Sequence, residues 1–183
     1  MKHIIDISHH QLPGRIDYKK LCSQLDMAII RVQYGSRTID KHYKTHIAEI
    51  KKCGIPFGVY AWVRGINNTD MEKEAQDFYN RAESQNPLFY VLDVEEKSMD
   101  NMRIGVNAYV KKLRSLTNKK IGVYIANHLY KAFNLDLSQF DFIWIPHYGA
   151  NSGLPNSTPI YPCDLHHYIR LTCLYRYTDE GHM

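Results

Sequence analysis

Residues 89–96 read Phe89-Tyr90-Val91-Leu92-Asp93-Val94-Glu95-Glu96, an apolar run that ends in three acids. The apolar part is short and rich in β-branched and aromatic residues, which is typical of a buried β-strand. Side chains two residues apart in a strand point to the same face, so Asp93 and Glu95 are expected to project together. Two carboxyl groups in such a place repel each other and resist desolvation, and the pKa of one of them should rise.

Short apolar runs of this kind alternate along the chain with longer amphipathic stretches. The predicted strands cover residues 3–8, 27–34, 56–63, 88–95, 120–126 and 142–149, with a further candidate at 164–169. The predicted helices cover residues 17–25, 41–53, 69–84 and 99–116. A capping box, with Thr69 as N-cap and Glu72 three residues on, is predicted to start the third helix. The alternation predicts a parallel sheet, either open or closed into a barrel.

Polar and amphipathic residues stand near the carboxyl ends of the predicted strands. They are Asp6, Arg31, Gln33, Trp62, Arg64, Asp93, Glu95, Asn127 and His147. The first strand runs into Ile7-Ser8-His9-His10 and not into a Gly-x-Gly-x-x-Gly loop, which disfavours a nucleotide-binding open sheet. In a (β/α) barrel all the carboxyl ends meet at one face, where active sites are built. The pattern therefore favours a barrel enzyme.

A buried pair of acids suits glycoside hydrolysis, which needs an acid to protonate the leaving oxygen and a carboxylate to stabilise the positive sugar centre. Asp93 and Glu95 alone would also fit a metal site or a salt-bridged strand end. Asp6 adds a third inward acid, which stability does not explain because each buried charge is costly. Aromatic residues near the same strand ends offer flat faces for sugar rings, although each alone also fits ordinary packing. They are Tyr60, Trp62, Tyr124, Trp144 and Tyr148.

The composition narrows the class of protein. Hydrophobic residues make up 44% and charged residues 23% of the 183 residues, as in a soluble globular domain. No apolar run reaches the roughly 18–20 residues of a membrane span, so no membrane insertion is expected, and the first residues do not resemble a secretory signal. The net charge is +4, and the basic residues are scattered along the chain. This charge alone does not indicate whether an anionic partner would be a bacterial wall or nucleic acid.

The four cysteines and ten histidines do not suggest a disulfide framework or a metal centre. His42 and His46 are four residues apart on a predicted helix, but the stretch lacks the Glu of His-Glu-x-x-His. No Cys-x-x-Cys pair occurs, and all the cysteines are expected to be free thiols. They are Cys22, Cys53, Cys163 and Cys173.

Taken together, these motifs resemble the family 25 glycoside hydrolases, the lysozymes of phage endolysins and some bacterial autolysins. The resemblance covers about residues 3–168 and recurs, in order, at most of the expected strand ends. Its segments are Asp6-Ile7-Ser8, His10-Gln11, Ile16-Asp17-Tyr18, Ala28-Ile29-Ile30-Arg31 with Gly35, Gly58-Val59-Tyr60, Asp93-Val94-Glu95, Gly122-Val123-Tyr124, Ile143-Trp144-Ile145 with Tyr148, and Pro162-Cys163-Asp164-Leu165-His166-His167-Tyr168. It implies an α/β fold, an irregular TIM-like barrel close to (β/α)5β3, with residues 1–183 forming a single catalytic domain.

The resemblance also implies an activity: hydrolysis of the β-1,4 bond between N-acetylmuramic acid and N-acetylglucosamine in bacterial peptidoglycan. By position Glu95 would be the general acid/base, with Asp93 and Asp6 beside it. Family members are thought to retain configuration, either by attack of the substrate's own 2-acetamido oxygen, steadied by Asp93, or with Asp93 itself as nucleophile. The expected substrate-binding residues are Arg31, Tyr60, Trp62, Tyr124, Asn127, Trp144 and Tyr148.

No cofactor, metal or nucleic-acid partner is implied. The protein is expected to be made in the cytoplasm of an infected or producing bacterium, without a signal peptide, and to reach the wall through a membrane lesion made by another protein.

Two segments depart from the family pattern. Tyr60-Ala61-Trp62 replaces the usual Tyr-His-Phe, so substrate contacts there are expected to differ. Residues 169–183 lack the usual ending, so the final strand and its acid are expected to be missing or replaced.

Two other functions fit parts of the sequence. The altered ending is compatible with a sugar-binding barrel that has little or no turnover. A chitinase-type barrel would show the acid run Asp-x-x-Asp-x-Asp-x-Glu, but Leu88 and Val91 occupy its first two acid positions.

Overall fold

A computed structural model describes residues 3–150, 152 and 157–168, and the backbone of residues 175–177. The strands are β1 (His3–Ile7), β2 (Leu25–Tyr34), β3 (Thr38–Ile39), β4 (Phe57–Trp62), β5 (Phe89–Val94), β6 (Lys120–Ile125), β7 (Phe142–Pro146), β8 (Leu165–His167) and β9 (Tyr175–Tyr177). The helices are α1 (Tyr18–Cys22), α2 (Tyr43–Lys52), α3 (Asn68–Ala82), α4 (Met102–Arg114) and α5 (Tyr130–Phe133). Short 3-10 turns lie at Pro13–Arg15, Glu83–Gln85, Asn127–Leu129 and Leu137–Gln139.

The described strands form one curled sheet in the order β1-β9-β8-β7-β6-β5-β4-β2-β3, and β1 also pairs with β2. Neighbours from β1 through β2, β4, β5, β6 and β7 to β8 are parallel. The short β3 pairs antiparallel with the end of β2 and stands outside the ring. Five strand–helix units followed by β7, β8 and β9 confirm the predicted (β/α)5β3 barrel.

Alternation along the strands creates two apolar cores. Side chains on the outer face, such as Ile30, Leu92 and Val123, pack against the helices in the larger core. Side chains on the inner face, such as Ile29 and Val91, fill the inside of the ring in a smaller core. This period of two places Asp93, the acid within β5, on the same face as the interior residues Phe89 and Val91.

The triplet Gly-Val-Tyr occurs in both β4 and β6, and in each the glycine makes room for a phenylalanine of the next strand. An ideal Cβ on Gly58 would lie 2.2 Å from the Phe89 ring, and one on Gly122 would lie 2.2 Å from the Phe142 ring. The two phenylalanine rings meet edge to face with their centroids 5.2 Å apart. These rings fill the amino-terminal end of the barrel, so the interior opens at the other end.

Several predicted boundaries differ from the structure. The helix at 69–84 begins at Asn68, and the Asn67 side chain caps it by accepting from the backbone N–H of Asp70. The predicted Thr69 capping box is therefore wrong, because an Asn two residues earlier takes that position. The helix predicted at 17–25 ends at Cys22, since Leu25 already begins β2.

Other differences are smaller. The strand predicted at 142–149 ends at Pro146, and the helix predicted at 99–116 covers Met102–Arg114 with Asn101 as N-cap. The β3 hairpin strand and the one-turn helix α5 were not predicted. The candidate strand at 164–169 is present as β8, although Ile169 lies outside the described residues.

The carboxyl-terminal region does contain a strand, contrary to the expectation that the last strand is lost. β9 pairs antiparallel with β8 and, through Tyr175 opposite Ile4, with β1. Its two pairings close the ring. The expected change of the terminal acid falls on residues outside the described part of the chain.

Cys22, Cys53 and Cys163 are free thiols, and Cys173 is outside the described residues. Within the described part of the chain, the helices are too short or too polar to cross a bilayer.

We predict that Gly122→Ala destabilises the protein, because the added methyl group meets the half-buried Phe142 ring. The expected loss in the free energy of unfolding is about 1–3 kcal/mol, as for other overpacked cores. Denaturant unfolding measures it. Gly14→Ala is the control, since a Cβ there meets nothing within 4 Å, and it should change stability by less than about 0.5 kcal/mol. Equal stability of the two variants would contradict the tight Gly122–Phe142 contact.

Candidate active site

The open end of the barrel holds a cavity of about 210 Å³ at the carboxyl ends of the strands. The predicted acids Asp6, Asp93 and Glu95 line it, together with all five of the predicted aromatic residues. The lining residues are Asp6, Ser8, His10, Gln11, Arg31, Tyr60, Trp62, Asp93, Glu95, Tyr124, Trp144, Tyr148 and His167. The cavity therefore combines carboxyl groups, one buried cation and several flat rings.

Asp93 is the most enclosed of the acids. It lies in β5 between Trp62 of β4 and Tyr124 of β6, and the residue is 4% exposed. Burial raises the pKa of Asp93 well above its usual value, and the charge of Glu95 and a hydrogen bond with it raise this pKa further. Asp6 also raises it, whereas Arg31 lowers it. The predicted rise of one pKa in the pair thus falls on Asp93.

Asp6 approaches the pair from β1, on the opposite side of the ring. The Tyr60 hydroxyl donates a hydrogen bond of 3.3 Å to Asp6 Oδ2. Tyr60 belongs to the Gly-Val-Tyr triplet of β4, two residues after the glycine that accommodates Phe89. The spacing of two carries Tyr60 from the apolar base of the barrel to the polar layer.

Arg31 is the cation of the cavity and is itself only 6% exposed. Its Nε donates a hydrogen bond of 3.1 Å to Asp40 Oδ2, and its guanidinium also contacts His9 Nδ1. Asp40 further accepts backbone hydrogen bonds from His9 at 2.8 Å and from His42 at 3.0 Å. Burial and the Arg31 charge lower the pKa of His9, so its neutral ring can accept from the guanidinium. Arg31 is thereby held toward the acids by a buried carboxylate.

Aromatic side chains form the wall opposite Asp6. The rings of Tyr124 and Trp144 meet at 77° with centroids 4.7 Å apart. The Tyr124 hydroxyl lies 3.3 Å from the Tyr148 hydroxyl and 3.3 Å from His167 Nδ1. Burial raises the pKa of Tyr124 well above its usual value, and the charge of Glu95 adds to the effect. Tyr124 therefore remains a neutral hydroxyl beside the acids.

Trp62 forms the wall next to β5. Its indole N–H donates a hydrogen bond of 3.0 Å to Glu96 Oε1. Arg64 Nε lies 2.5 Å from the same Glu96 oxygen. The ring of Tyr34 packs beside Trp62 with centroids 5.2 Å apart. A register irregularity between Arg31 and Gln33 brings Tyr34 opposite Trp62.

The structure brings together nine of the ten predicted site residues in this cavity and leaves Asn127 out of its lining. Asn127 begins the 3-10 turn after β6. Ser8, His10, Gln11 and His167 line the cavity without having been predicted as site residues. Their positions in the sequence could have indicated this, because residues at the carboxyl ends of barrel strands lie at the active-site face. Ser8, His10 and Gln11 follow β1, and His167 ends β8. Among the described residues, no group of three or more His, Cys, Asp or Glu side chains is arranged to hold a metal ion.

Comparison with known proteins gives a family and a set of similar structures. The family model for glycosyl hydrolases family 25 matches residues 5–183, which includes the carboxyl-terminal segment that looked atypical. A glycosyl hydrolase 25 of Streptococcus pneumoniae, described as a virulence factor participating in host cell invasion, is 36% identical with a TM-score of 0.93, covering 99% of this chain and 88% of that chain. A search of curated proteins found no match.

More distant structures share the fold. The catalytic domain of an endolysin from a bacteriophage of Listeria monocytogenes is 24% identical with a TM-score of 0.90, covering 98% of this chain and 94% of that chain. A muramidase from Trichobolus zukalii is 15% identical with a TM-score of 0.76, covering 98% of this chain and 95% of that chain. With a family match over nearly its whole length and a 36% identical structure of the same family, this chain belongs to the glycosyl hydrolases of family 25.

Proposed function

We propose that the protein is a lysozyme-type N-acetylmuramidase that cleaves the β-1,4 bond between N-acetylmuramic acid and N-acetylglucosamine in peptidoglycan. The observation that carries the proposal is the hydrogen-bonded pair of Asp93 and Glu95 in an aromatic cavity, where burial raises the pKa of Asp93. Family membership supplies the reaction class, and the carboxyl pair supplies its two chemical requirements: a proton donor and a negative charge.

Glu95 is the proposed general acid/base. It follows the last residue of β5 and is only partly buried, so its carboxyl group can reach a bond that enters from solvent. In the first step its O–H would donate to the glycosidic oxygen while the bond from that oxygen to the anomeric carbon breaks. In the second step its carboxylate would take a proton from the water that attacks the anomeric carbon.

Asp93 is the proposed partner of the positive sugar centre. Because burial and the charge of Glu95 raise the pKa of Asp93, and because the two side chains share a hydrogen bond, a proton held by this pair can pass from one carboxyl group to the other. An acetamido N–H facing Asp93 would favour its ionised form, and the shared proton would then belong to Glu95. This arrangement serves attack by the substrate's acetamido oxygen, and it equally serves a direct nucleophilic Asp93.

The remaining site residues have proposed supporting roles. Asp6, with its Tyr60 hydrogen bond, would lie against the sugar ring and add negative charge. Arg31 would limit the repulsion between the acids. The rings of Trp62, Trp144 and Tyr148 would stack on or contact sugar faces, and Asn127 would contact substrate only beyond the cavity. In this proposal residues 1–183 act as a single catalytic domain.

The proposed partner is the bacterial wall itself, and neither nucleic acid nor membrane insertion has a part in the activity. The likeness to an endolysin catalytic domain supports synthesis in a bacterial cytoplasm followed by action on the wall after release.

We predict that Glu95→Gln abolishes most of the lytic activity, because the amide can neither donate a labile proton nor act as a base. The rate of turbidity loss of purified cell walls should fall by about 10²–10⁴-fold. New reducing ends should be identified by mass spectrometry, and a muramic acid reducing end is the expected product of the wild-type enzyme.

The control for this substitution is Glu72→Gln, which makes the same exchange at an exposed position of α3 and should leave the rate unchanged. An unchanged rate in Glu95→Gln would reject its assignment as the acid. Binding of wall fragments without any product would instead identify a sugar-binding barrel, and cleavage of chitin in preference to peptidoglycan would identify a different glycosidase.

We predict that Asp93→Asn inactivates the enzyme yet stabilises its fold at neutral pH. The pKa of Asp93 is raised in the folded protein. The contribution of its protonated form to stability is therefore fully present below the ordinary pKa of 3.8, and it is lost as the pH rises through the higher folded-state pKa. The variant should gain on the order of 1 kcal/mol or more in unfolding free energy at pH 7, and the gain should shrink toward pH 3.

Denaturant unfolding of both proteins between pH 3 and pH 8 measures this difference. A variant that is less stable than the wild type at pH 7 would mean that Asp93 is a well-compensated charge, contrary to the proposed shared proton.

A further inference from the structure

Glu96 is the third acid of the segment that ends β5, and the proposed chemistry does not use it. It stands outside the residues that line the cavity, and its side chain is 34% exposed. A carboxylate that is one-third exposed is already partly solvated and does not require two partners. Its single oxygen Oε1 nevertheless contacts two side chains, Trp62 Nε1 at 3.0 Å and Arg64 Nε at 2.5 Å.

Of the three residues Trp62, Arg64 and Glu96, Trp62 is the one that faces the cavity. It lines the cavity, and it lies opposite Asp93 in the strand register. Its backbone carbonyl accepts from the Gly35 N–H at 2.9 Å, and its ring packs beside Tyr34 with an interplanar angle of 42°. These contacts fix the backbone and one edge of the ring. The hydrogen bond from the indole N–H to Glu96 adds a directional contact on the ring.

Arg64 fixes Glu96 in turn. Its guanidinium lies over the Tyr34 ring, 4.6 Å from the centroid, while its Nε holds Glu96. Its backbone N–H donates to both carboxyl oxygens of the buried Glu74 at 3.2 Å. Arg64 is therefore attached to α3 through its backbone and to the Trp62 wall through its side chain. Tyr34, Arg64 and Glu96 thus form a connected group beside Trp62, which we call the clamp.

We infer that Glu96 is a positioning residue that, together with Arg64, holds the Trp62 indole in the orientation in which it contacts the sugar. The inference rests on the proposed function and deepens it, because it assigns substrate affinity to the third acid of the Asp-Val-Glu-Glu segment. A preorganised ring loses less rotational freedom on binding than a mobile one. Loss of the clamp should therefore weaken binding much more than it slows bond cleavage.

The kinetic test uses soluble, uncrosslinked glycan strands prepared from peptidoglycan as substrate. Glu96→Ala removes both contacts and should raise KM by about tenfold, with kcat within about threefold of wild type. Glu96→Gln keeps an acceptor for the indole N–H but loses the ion pair, so its KM should rise by only about two- to threefold. Arg64→Met, which keeps an apolar stem over Tyr34, should match Glu96→Gln. Glu72→Ala is the control at an exposed site and should leave both constants unchanged.

A second measurement follows Trp62 directly and does not depend on turnover. The chain contains two tryptophans, Trp62 and Trp144, and Trp144 is buried at 3% exposure. Trp62→Phe supplies the emission of Trp144 alone, which is subtracted from the other spectra. In ligand-free protein, Glu96→Ala should shift the Trp62 emission and increase its quenching by acrylamide at least about 1.5-fold, whereas Glu96→Gln should stay close to wild type.

The outcomes are distinct. An unchanged KM with unchanged Trp62 quenching in Glu96→Ala would overturn the inference, and a fall in kcat as large as that of Glu95→Gln would also overturn it by placing Glu96 in the chemistry. If the wild-type protein gives no product, the proposed function fails but the clamp is still testable. In that case calorimetric titration with the same glycan strands should show a roughly tenfold weaker affinity for Glu96→Ala, and equal affinities would reject the clamp.

Discussion

The burial of one ionisable carboxyl group, Asp93, is the constraint on which the rest of the site depends. The inner face of a barrel strand is largely shielded from water, so an aspartate there is destabilising unless it keeps its proton or gains a counter-charge. Here both solutions are present in part. Asp93 shares a hydrogen bond with Glu95, and Arg31 offsets some of the negative charge. Glycoside hydrolysis uses the repulsion that remains between Asp93 and Glu95, because it favours a proton on one of them and a negative charge on the other.

The surroundings of Asp93 are arranged in layers by the period of two in the strands. Below it Val91 and Phe89 belong to the apolar interior, and above it Glu95 reaches the opening. A similar order occurs in β4 and β6, where a glycine at the apolar base is followed two residues later by a tyrosine that lines the cavity, Tyr60 or Tyr124. Arg31 completes the polar layer from β2, but it is useful there only because Asp40, a residue of the connection after β3, fixes its direction. The site is thus a product of the ring and of one connecting segment.

Local pattern in the sequence predicts the ring better than the connections. Alternating apolar residues identify seven of the strands, and the acids of β5 and the tyrosines after Gly58 and Gly122 follow from position alone. The two-residue strand β3 carries no such pattern, and β9 forms by pairing with strands that are distant in sequence. Asn67 and Thr69 are both good N-caps, and local propensity did not separate them. The roles of Asp40 and Glu96 depend on tertiary contacts that spacing does not reveal.

The packing of Phe89 against Phe142 limits how sugar and water can reach the acids. In the described part of the chain, these rings fill the barrel interior beneath the acids together with Ile29, Val91 and Leu165. The cavity at the carboxyl ends of the strands is therefore the route by which sugar and water would both reach the acids. Under the proposed reaction, the water of the second step would enter by the same opening through which the first saccharide product leaves, so that step would follow the departure of the product.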